Sequence, residues 1–400
     1  MPPRAEQSRR TILFVNWAHA LDHFVLLIFP TAVIAIAADM HRDYSELISL
    51  STGAFVAFGL FALPVGWLAD RFGRRTVLNW FFFGYGASCM LVALSVNVLT
   101  LGLSLFVLGI FSAIYHPIGA AIIISNTTQI GRALGINGVW GNFGAALASG
   151  ITGALAAALG WRAAFFVPGA ILIATGIAFA LLVKDGESAP RRQSVTHSIH
   201  ASRNQLITLV VMFMAAILAG GLTFNIVSIA MPKILDERLG FTVPLALTGW
   251  LTTGIFFCGA LTQVTIGRLI DRIELATLFV WLSLVQVAGL LAAATMTGVP
   301  MATGLILVTA GIYGQVIIND AMIGRFVPEE YRNRVYSLRF FLGFTIAGLA
   351  VPIIGSLHEL GGFRFVLLVS TMIAGVILAC SLATWVLTRG RLRALPVPAE

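Results

Sequence analysis

The stretch Gly66-Trp67-Leu68-Ala69-Asp70-Arg71-Phe72-Gly73-Arg74-Arg75 returns in degenerate form as Gly267-Arg268-Leu269-Ile270-Asp271-Arg272, at an offset of 201 residues. Other pairs keep nearly the same offset, in order. Pro30 pairs with Pro232, Gly109-Ile110-Phe111 with Gly311-Ile312-Tyr313, and Arg132 with Arg334. Gly160-Trp161-Arg162 pairs with Gly362-Phe363-Arg364. Five matches in register argue for a duplicated unit. Both copies of the loop sit between long apolar runs, so the duplicated unit is built from such runs.

Composition gives the runs their meaning. The 400 residues are 58% hydrophobic and only 10% charged, where a soluble domain carries about 25% charged residues. Too few polar side chains remain to cover a water-soluble globule, which excludes both an ordinary soluble enzyme and a disordered chain. A bilayer core needs about 20 apolar residues per helix. Runs of that length fall near 11–37, 46–69, 76–96, 99–124, 132–158 and 162–184, then near 205–231, 244–269, 275–296, 299–324, 332–357 and 363–388. All should be helices, because lipid offers no partner to an open backbone group. The alternation of barrel strands is absent from the sequence. The expected fold is therefore all-α, with twelve transmembrane helices in two pseudo-symmetric six-helix bundles. The expected domains are 1–184, a polar cytoplasmic linker at 185–204, and 205–400 with a short cytoplasmic tail. Parallel repeats of this kind point to a transporter.

Charge sets the orientation. Net charge is +8, and the basic residues lie in short loops, which suggests membrane topology rather than nucleic-acid binding. With the N-terminus inside, nineteen of the 25 lysines and arginines fall in cytoplasmic loops and tails and five outside. Both termini are thus expected in the cytoplasm of a cell-membrane protein. Arg4, Arg9 and Arg10 precede an apolar stretch too long for a cleavable signal core. Cys89, Cys258 and Cys380 are far apart and form neither a metal spacing nor a disulfide framework.

The Gly66–Arg75 loop closely resembles the signature loop of the major facilitator superfamily, and the span count and central linker fit that architecture. The resemblance implies a cytoplasmic gate of Gly66, Asp70, Arg71, Gly73, Arg74 and Arg75, with Asp271, Arg272 and Arg334 in the second half. Asp70 would meet a helix N-terminus or an arginine. A finer resemblance is to the fosmidomycin-resistance group. It rests on His19, Asp22 and His23 with Pro30, on Tyr115-His116-Pro117 with Gly119, and on Gly138-Val139-Trp140-Gly141-Asn142-Phe143-Gly144. It implies a proton-coupled exporter of small toxic molecules. The chain differs from the better-known drug/proton antiporters in having Leu105 at the basic position before Gly109, and no proline between Gly138 and Gly150.

Titratable groups inside the spans are few: His19, Asp22, His23, His116, Asp320 and Arg339. Such groups are costly in lipid and usually face a cavity or a partner. His19, Asp22 and His23 share one helix face by their spacing. They lie roughly 12 to 18 Å into span 1 by helix rise. A carboxylate and imidazoles together can exchange a proton near neutral pH, so these three are the expected proton-coupling residues. The static alternative is a hydrogen-bonded cluster holding span 1 in place. His116 is either a substrate contact or a local backbone partner, and Pro117 should kink span 4. Asp320 is a gate or cavity residue, and Arg339 needs an anionic partner, with Asp70 and Asp320 both open. Tyr115, Asn16, Asn225, Tyr313 and Gln315 complete the expected substrate cavity. Trp80-Phe81-Phe82-Phe83 is expected to face lipid or anchor at the interface. The glycines of span 5 suit close helix packing.

The expected function is secondary active transport of a small molecule by alternating access, driven by protons, in a monomer. The expected partners are that small-molecule substrate, protons and the lipid bilayer. An alternative is a proton- or ion-coupled importer of a small solute or a transition metal. Met212 and Met214 cannot share a helix face, which weakens the metal version. A membrane sensor without transport is a third reading. No catalytic cluster and no nucleotide-binding loop occurs, so no enzyme, no cofactor, no resident metal site and no nucleic-acid partner is expected.

Overall fold

The computed structural model describes residues 3–127, 129–184, 203–240, 242–270, 272–326 and 329–388. The described chain is helical throughout: α1 (Pro3–Leu26), α2 (Ile28–Met40), α3 (Tyr44–Ser49), α4 (Ser51–Phe72), α5 (Arg74–Ala93), α6 (Val98–Ser112), α7 (Tyr115–Asn126), α8 (Ile130–Leu159), α9 (Trp161–Leu182), α10 (Arg203–Arg238), α11 (Leu245–Leu269), α12 (Leu275–Thr295), α13 (Gly298–Phe326) and α14 (Glu329–Thr388). Among the described residues, eleven helical stretches are long and apolar enough to cross a membrane. The last, Ile346–Leu387, is 42 residues long, about twice what one crossing needs. Its backbone leaves helical geometry at Gly361 and Gly362, where Gly362 has φ 63°. It therefore counts as two crossings, and the total is twelve, in the all-helical fold expected. Predicted and observed spans agree within a few residues except at two ends: α1 starts at Pro3 and α10 continues to Arg238.

Two spans break near their middle, and proline explains both. Pro30 cannot donate to the carbonyl of Leu26, where α1 ends; Pro117 cannot donate to that of Ala113, at the break between α6 and α7. The α6 N-terminus is closed by a capping box. Asn97 accepts from the Thr100 amide at 2.9 Å, and Thr100 Oγ1 accepts from the Asn97 amide at 3.2 Å.

The chain divides into two compact units. The first holds α1 to α9 with the segments Ile229–Asp236 and Thr242–Gly254; the second holds the remainder of α10 and α11, and α12 to α14. Within the first, α1 packs on α8, α4 on α6, and α5 on α9; within the second, α12 packs on α13 and α14. Some helix pairs approach backbone to backbone. A Cβ on Gly144 would lie 1.9 Å from the Ala20 carbonyl oxygen, and one on Gly109 would lie 2.0 Å from that of Ala54. Only glycine permits these crossings. The core of the second unit includes Phe213, Phe279, Ile318, Ile323 and Ile377.

The run Trp80–Phe83 splits, which corrects the expectation of a wholly lipid-facing belt. Phe81 and Phe82 are buried, while Trp80 and Phe83 are exposed. Four consecutive helical residues turn through most of a circle and cannot share one face.

Candidate functional site

The first unit gathers the polar residues of α1, α6, α7 and α8 around Asp22. Asp22 is fully buried. Its Oδ1 accepts a 2.6 Å hydrogen bond from Ser112 Oγ, and its Oδ2 lies 3.4 Å from His116 Nε2. The Tyr85 hydroxyl donates to the Asp22 carbonyl at 3.2 Å. Ser112 and His116 are four residues apart across the α6–α7 break, so both reach the same carboxylate.

His19, His23 and His116 close around one point. Their ring centroids are 4.8 Å (His19–His23), 5.3 Å (His19–His116) and 5.5 Å (His23–His116) apart. His19 is buried, while His23 and His116 are half-buried, so the cluster has one open side. His19 Nδ1 lies 2.7 Å from the Asn137 carbonyl oxygen. A carbonyl only accepts, so Nδ1 carries the proton and Nε2 the lone pair. Nε2 is buried without a hydrogen-bond partner among the described residues. The His19 ring stacks on Tyr115 at 4.8 Å. It also rests on Gly141, where a Cβ would come within 2.7 Å of Cε1 and Nε2. The span-5 glycines thus admit both the helix and the imidazole.

A second layer fixes these rings. The Tyr115 hydroxyl donates toward the Val15 carbonyl at 3.1 Å and lies 2.9 Å from Asn137 Nδ2. Asn137 Nδ2 also donates to Asn16 Oδ1 at 3.0 Å. Asn137, Ser112 and Tyr85 are the residues that the sequence reading missed. The available signals were a polar side chain opening the glycine run of span 5 and a serine one turn before His116.

The expected gate residues of the first unit make contacts of their own. Asp70 and Arg71 are exposed at the end of α4. Arg71 lies over the rings of Trp67 and Phe72, 5.7 and 5.6 Å from their centroids. Gly73, with φ 83°, turns α4 into α5. Arg74 Nη1 donates to the Ala121 carbonyl at 3.3 Å. Arg75 donates from Nε to Val183 at 2.6 Å and from Nη2 to Ala180 at 2.7 Å, capping the C-terminus of α9 with positive charge. Gly66 has open space where a Cβ would stand. In the second unit, Gln315 donates to Gln286 at 2.8 Å, so its amide is directed at α12. Tyr313 is buried between Phe224 and Phe256. Asn225 donates to the Gly221 carbonyl of its own helix. Arg272 is exposed. Asp271 lies outside the described residues. Asp320, Arg334 and Arg339 stand on helical backbone, and their side chains lie outside the described set. Most of the 185–204 linker, residues 185–202, lies outside it too.

Known proteins match this sequence and fold. A probable sulfoacetate transporter of Cupriavidus necator is 30% identical over 38% of this chain and 37% of its own length. A tetracenomycin C resistance and export protein of Streptomyces glaucescens is 28% identical over 44% of this chain and 33% of its own. The matches thus span little more than a third of either relative. The crystal structure of a bacterial homolog of the human lysosomal transporter Spinster, inward-facing and occupied, superposes with a TM-score of 0.74 at 16% identity, over 98% of this chain and 99% of its own. That likeness shows the fold. The sequence pattern of the Major Facilitator Superfamily matches residues 12–247 and 213–399, nearly the whole chain. The chain is a multi-pass membrane protein, and it belongs to the major facilitator superfamily, a family of transporters rather than enzymes.

Proposed function

We propose that the chain is a proton-coupled exporter of small toxic molecules, working as a monomer by alternating access in the cell membrane with both termini cytoplasmic. The observation that carries this reading is Asp22, a fully buried carboxyl group bonded to Ser112 with the His116 imidazole 3.4 Å away. A charge in the membrane interior is expensive and is retained where it has work to do. Taking up a proton removes the charge of Asp22, and the half-buried face at His23 and His116 gives that proton a way in. His19 and His23 tune the carboxyl group or touch the substrate.

Export is supported by the name of the Streptomyces glaucescens relative and by the resemblance to the fosmidomycin-resistance group. Gly66, Asp70, Arg71, Gly73 and Arg74 serve as a cytoplasmic gate, with Asp271, Arg272 and Arg334 as its second-half counterpart. Tyr115 and Asn16, beside the histidines, serve as substrate contacts; Asn225, Tyr313, Gln315, Asp320 and Arg339 are assigned to the substrate path from the sequence alone. The rival reading is uptake of a small solute; the name of the Cupriavidus necator relative gives a small organic solute and no direction.

The test is purified protein in liposomes with an imposed pH gradient, screened against phosphonates, organic cations, sugars and organic acids. Flux of at least one class should follow the gradient. Asp22→Asn should lose that dependence while keeping solute counter-flow. Wild-type pH dependence in Asp22→Asn would remove Asp22 from the coupling role, and absence of counter-flow for every solute would favour the sensor reading.

A further inference from the structure

We infer that His19, His23 and His116 form a binding site for one divalent transition-metal ion of the zinc class. From the sequence, His19 and His23 enter only the metal-uptake alternative and no resident metal site is expected; the third histidine comes from a distant span. It rests on the transport reading only in taking this pocket as one the carrier opens to water. Metal binding is an equilibrium property that can be measured by itself.

Three observations point to it. Each imidazole offers one ring nitrogen, and the three nitrogens lie within 4.8 Å of one another. Nitrogens bound tetrahedrally at about 2.0–2.1 Å would stand roughly 3.4 Å apart. The half-buried rings of His23 and His116 can close that difference by small side-chain rotations. Next, His19 is more than nine-tenths buried, with Nε2 lacking a hydrogen-bond partner among the described residues. A buried acceptor left open is costly unless something comes to fill it. Its Nδ1 is held by the Asn137 carbonyl, which fixes Nε2 as the lone-pair nitrogen. That is the outer-shell arrangement that orients metal-bound histidines. Finally, the Asp22 carboxylate beside His116 supplies negative charge that three neutral imidazoles lack.

The donor set selects the ion class. Imidazoles suit zinc, copper, nickel and cobalt. Magnesium and calcium demand oxygen donors in larger number, and the cluster offers one carboxylate. A purely structural cluster would be expected to saturate its buried nitrogens; this one leaves His19 Nε2 open.

The test uses the full chain in detergent, stripped with chelator and titrated with Co²⁺ followed by its visible absorption, then with Zn²⁺ in competition. One Co²⁺ per chain should bind with the intense absorption of a tetrahedral site. Zn²⁺ should displace it, and Mg²⁺ and Ca²⁺ should not. H19Q, H23Q and H116Q should each weaken binding by more than about 100-fold, beyond the 10–100-fold typical of losing an outer-shell partner. H358Q, which removes a histidine outside the cluster, should bind as wild type. H23C keeps a ligand in place and should retain binding with a thiolate-to-cobalt charge-transfer band, so a folding defect in H23Q would not shield the proposal. No stoichiometric binding by the wild type, or undiminished binding by all three glutamine variants, overturns it. Gradient-driven flux is measured in parallel in chelator-treated liposomes. Flux without metal binding overturns the metal site alone; metal binding without flux supports the site and overturns only the proton-coupled reading.

Discussion

Ser112 Oγ stands 2.6 Å from Asp22 Oδ1, so the hydroxyl that ends α6 holds the carboxylate in the last turns of α1. Two broken spans are joined at the point where each carries its chemistry. The bond orients Oδ2 toward His116, and the carboxylate has little freedom to turn elsewhere.

Ser112→Ala should leave that oxygen without its donor. A hydrogen bond to a charged group contributes about 1.5–3 kcal/mol. The variant should melt earlier in detergent and show a displaced pH profile of transport, while Ser112→Thr should restore both. An unmoved pH profile in Ser112→Ala would deny it a positioning role.

Gly144→Ala should push α8 away from α1, because the new Cβ would meet the Ala20 carbonyl at 1.9 Å. Overpacking of this kind costs about 1–3 kcal/mol. Gly138→Ala meets nothing within 4 Å and should stabilise α8 by up to about 1 kcal/mol. Thermal melting of the two purified variants against wild type should therefore give shifts of opposite sign.

Tyr115→Phe removes the hydroxyl that links Val15 and Asn137 but keeps the ring stacked on His19. A loss of roughly 1 kcal/mol is expected. Asn137→Ala should cost more, since it strips partners from both Asn16 and Tyr115. Melting temperatures rank the two.

Arg75→Gln should destabilise the first unit by about 1–2 kcal/mol, through loss of two charge-assisted bonds at the α9 terminus. Arg71→Gln should change stability by less than about 1 kcal/mol, because its guanidinium is exposed over Trp67 and Phe72. Equal melting shifts for the two would refute the assignment of Arg75 as a cap.

The fold was legible because lipid is an unforgiving solvent: every crossing must be a long apolar helix, and the runs show where. The break at Pro117 was legible because proline has no N–H for the carbonyl four residues earlier; the break at Pro30 was not, since Pro64, Pro168, Pro232 and Pro352 sit inside helices that continue through them. The pairing of His116 with Asp22 was only half legible, since spacing puts His19, Asp22 and His23 on one face but says nothing about a residue some ninety positions away. Asn137 was missed because the carbonyl that holds His19 could come from any residue, and its amide bonds reach other helices that spacing does not bring together. Trp80–Phe83 misled because a run of one residue type suggests one environment, whereas the helix distributes it over two.

The Arg75 cap ties two distant stretches to a common register. Inserting or deleting one residue near the end of α9 would swing its last carbonyls by about 100° around the axis, out of reach of the guanidinium. Length at the tip of the sixth crossing should therefore be conserved together with an arginine at the corner after the second.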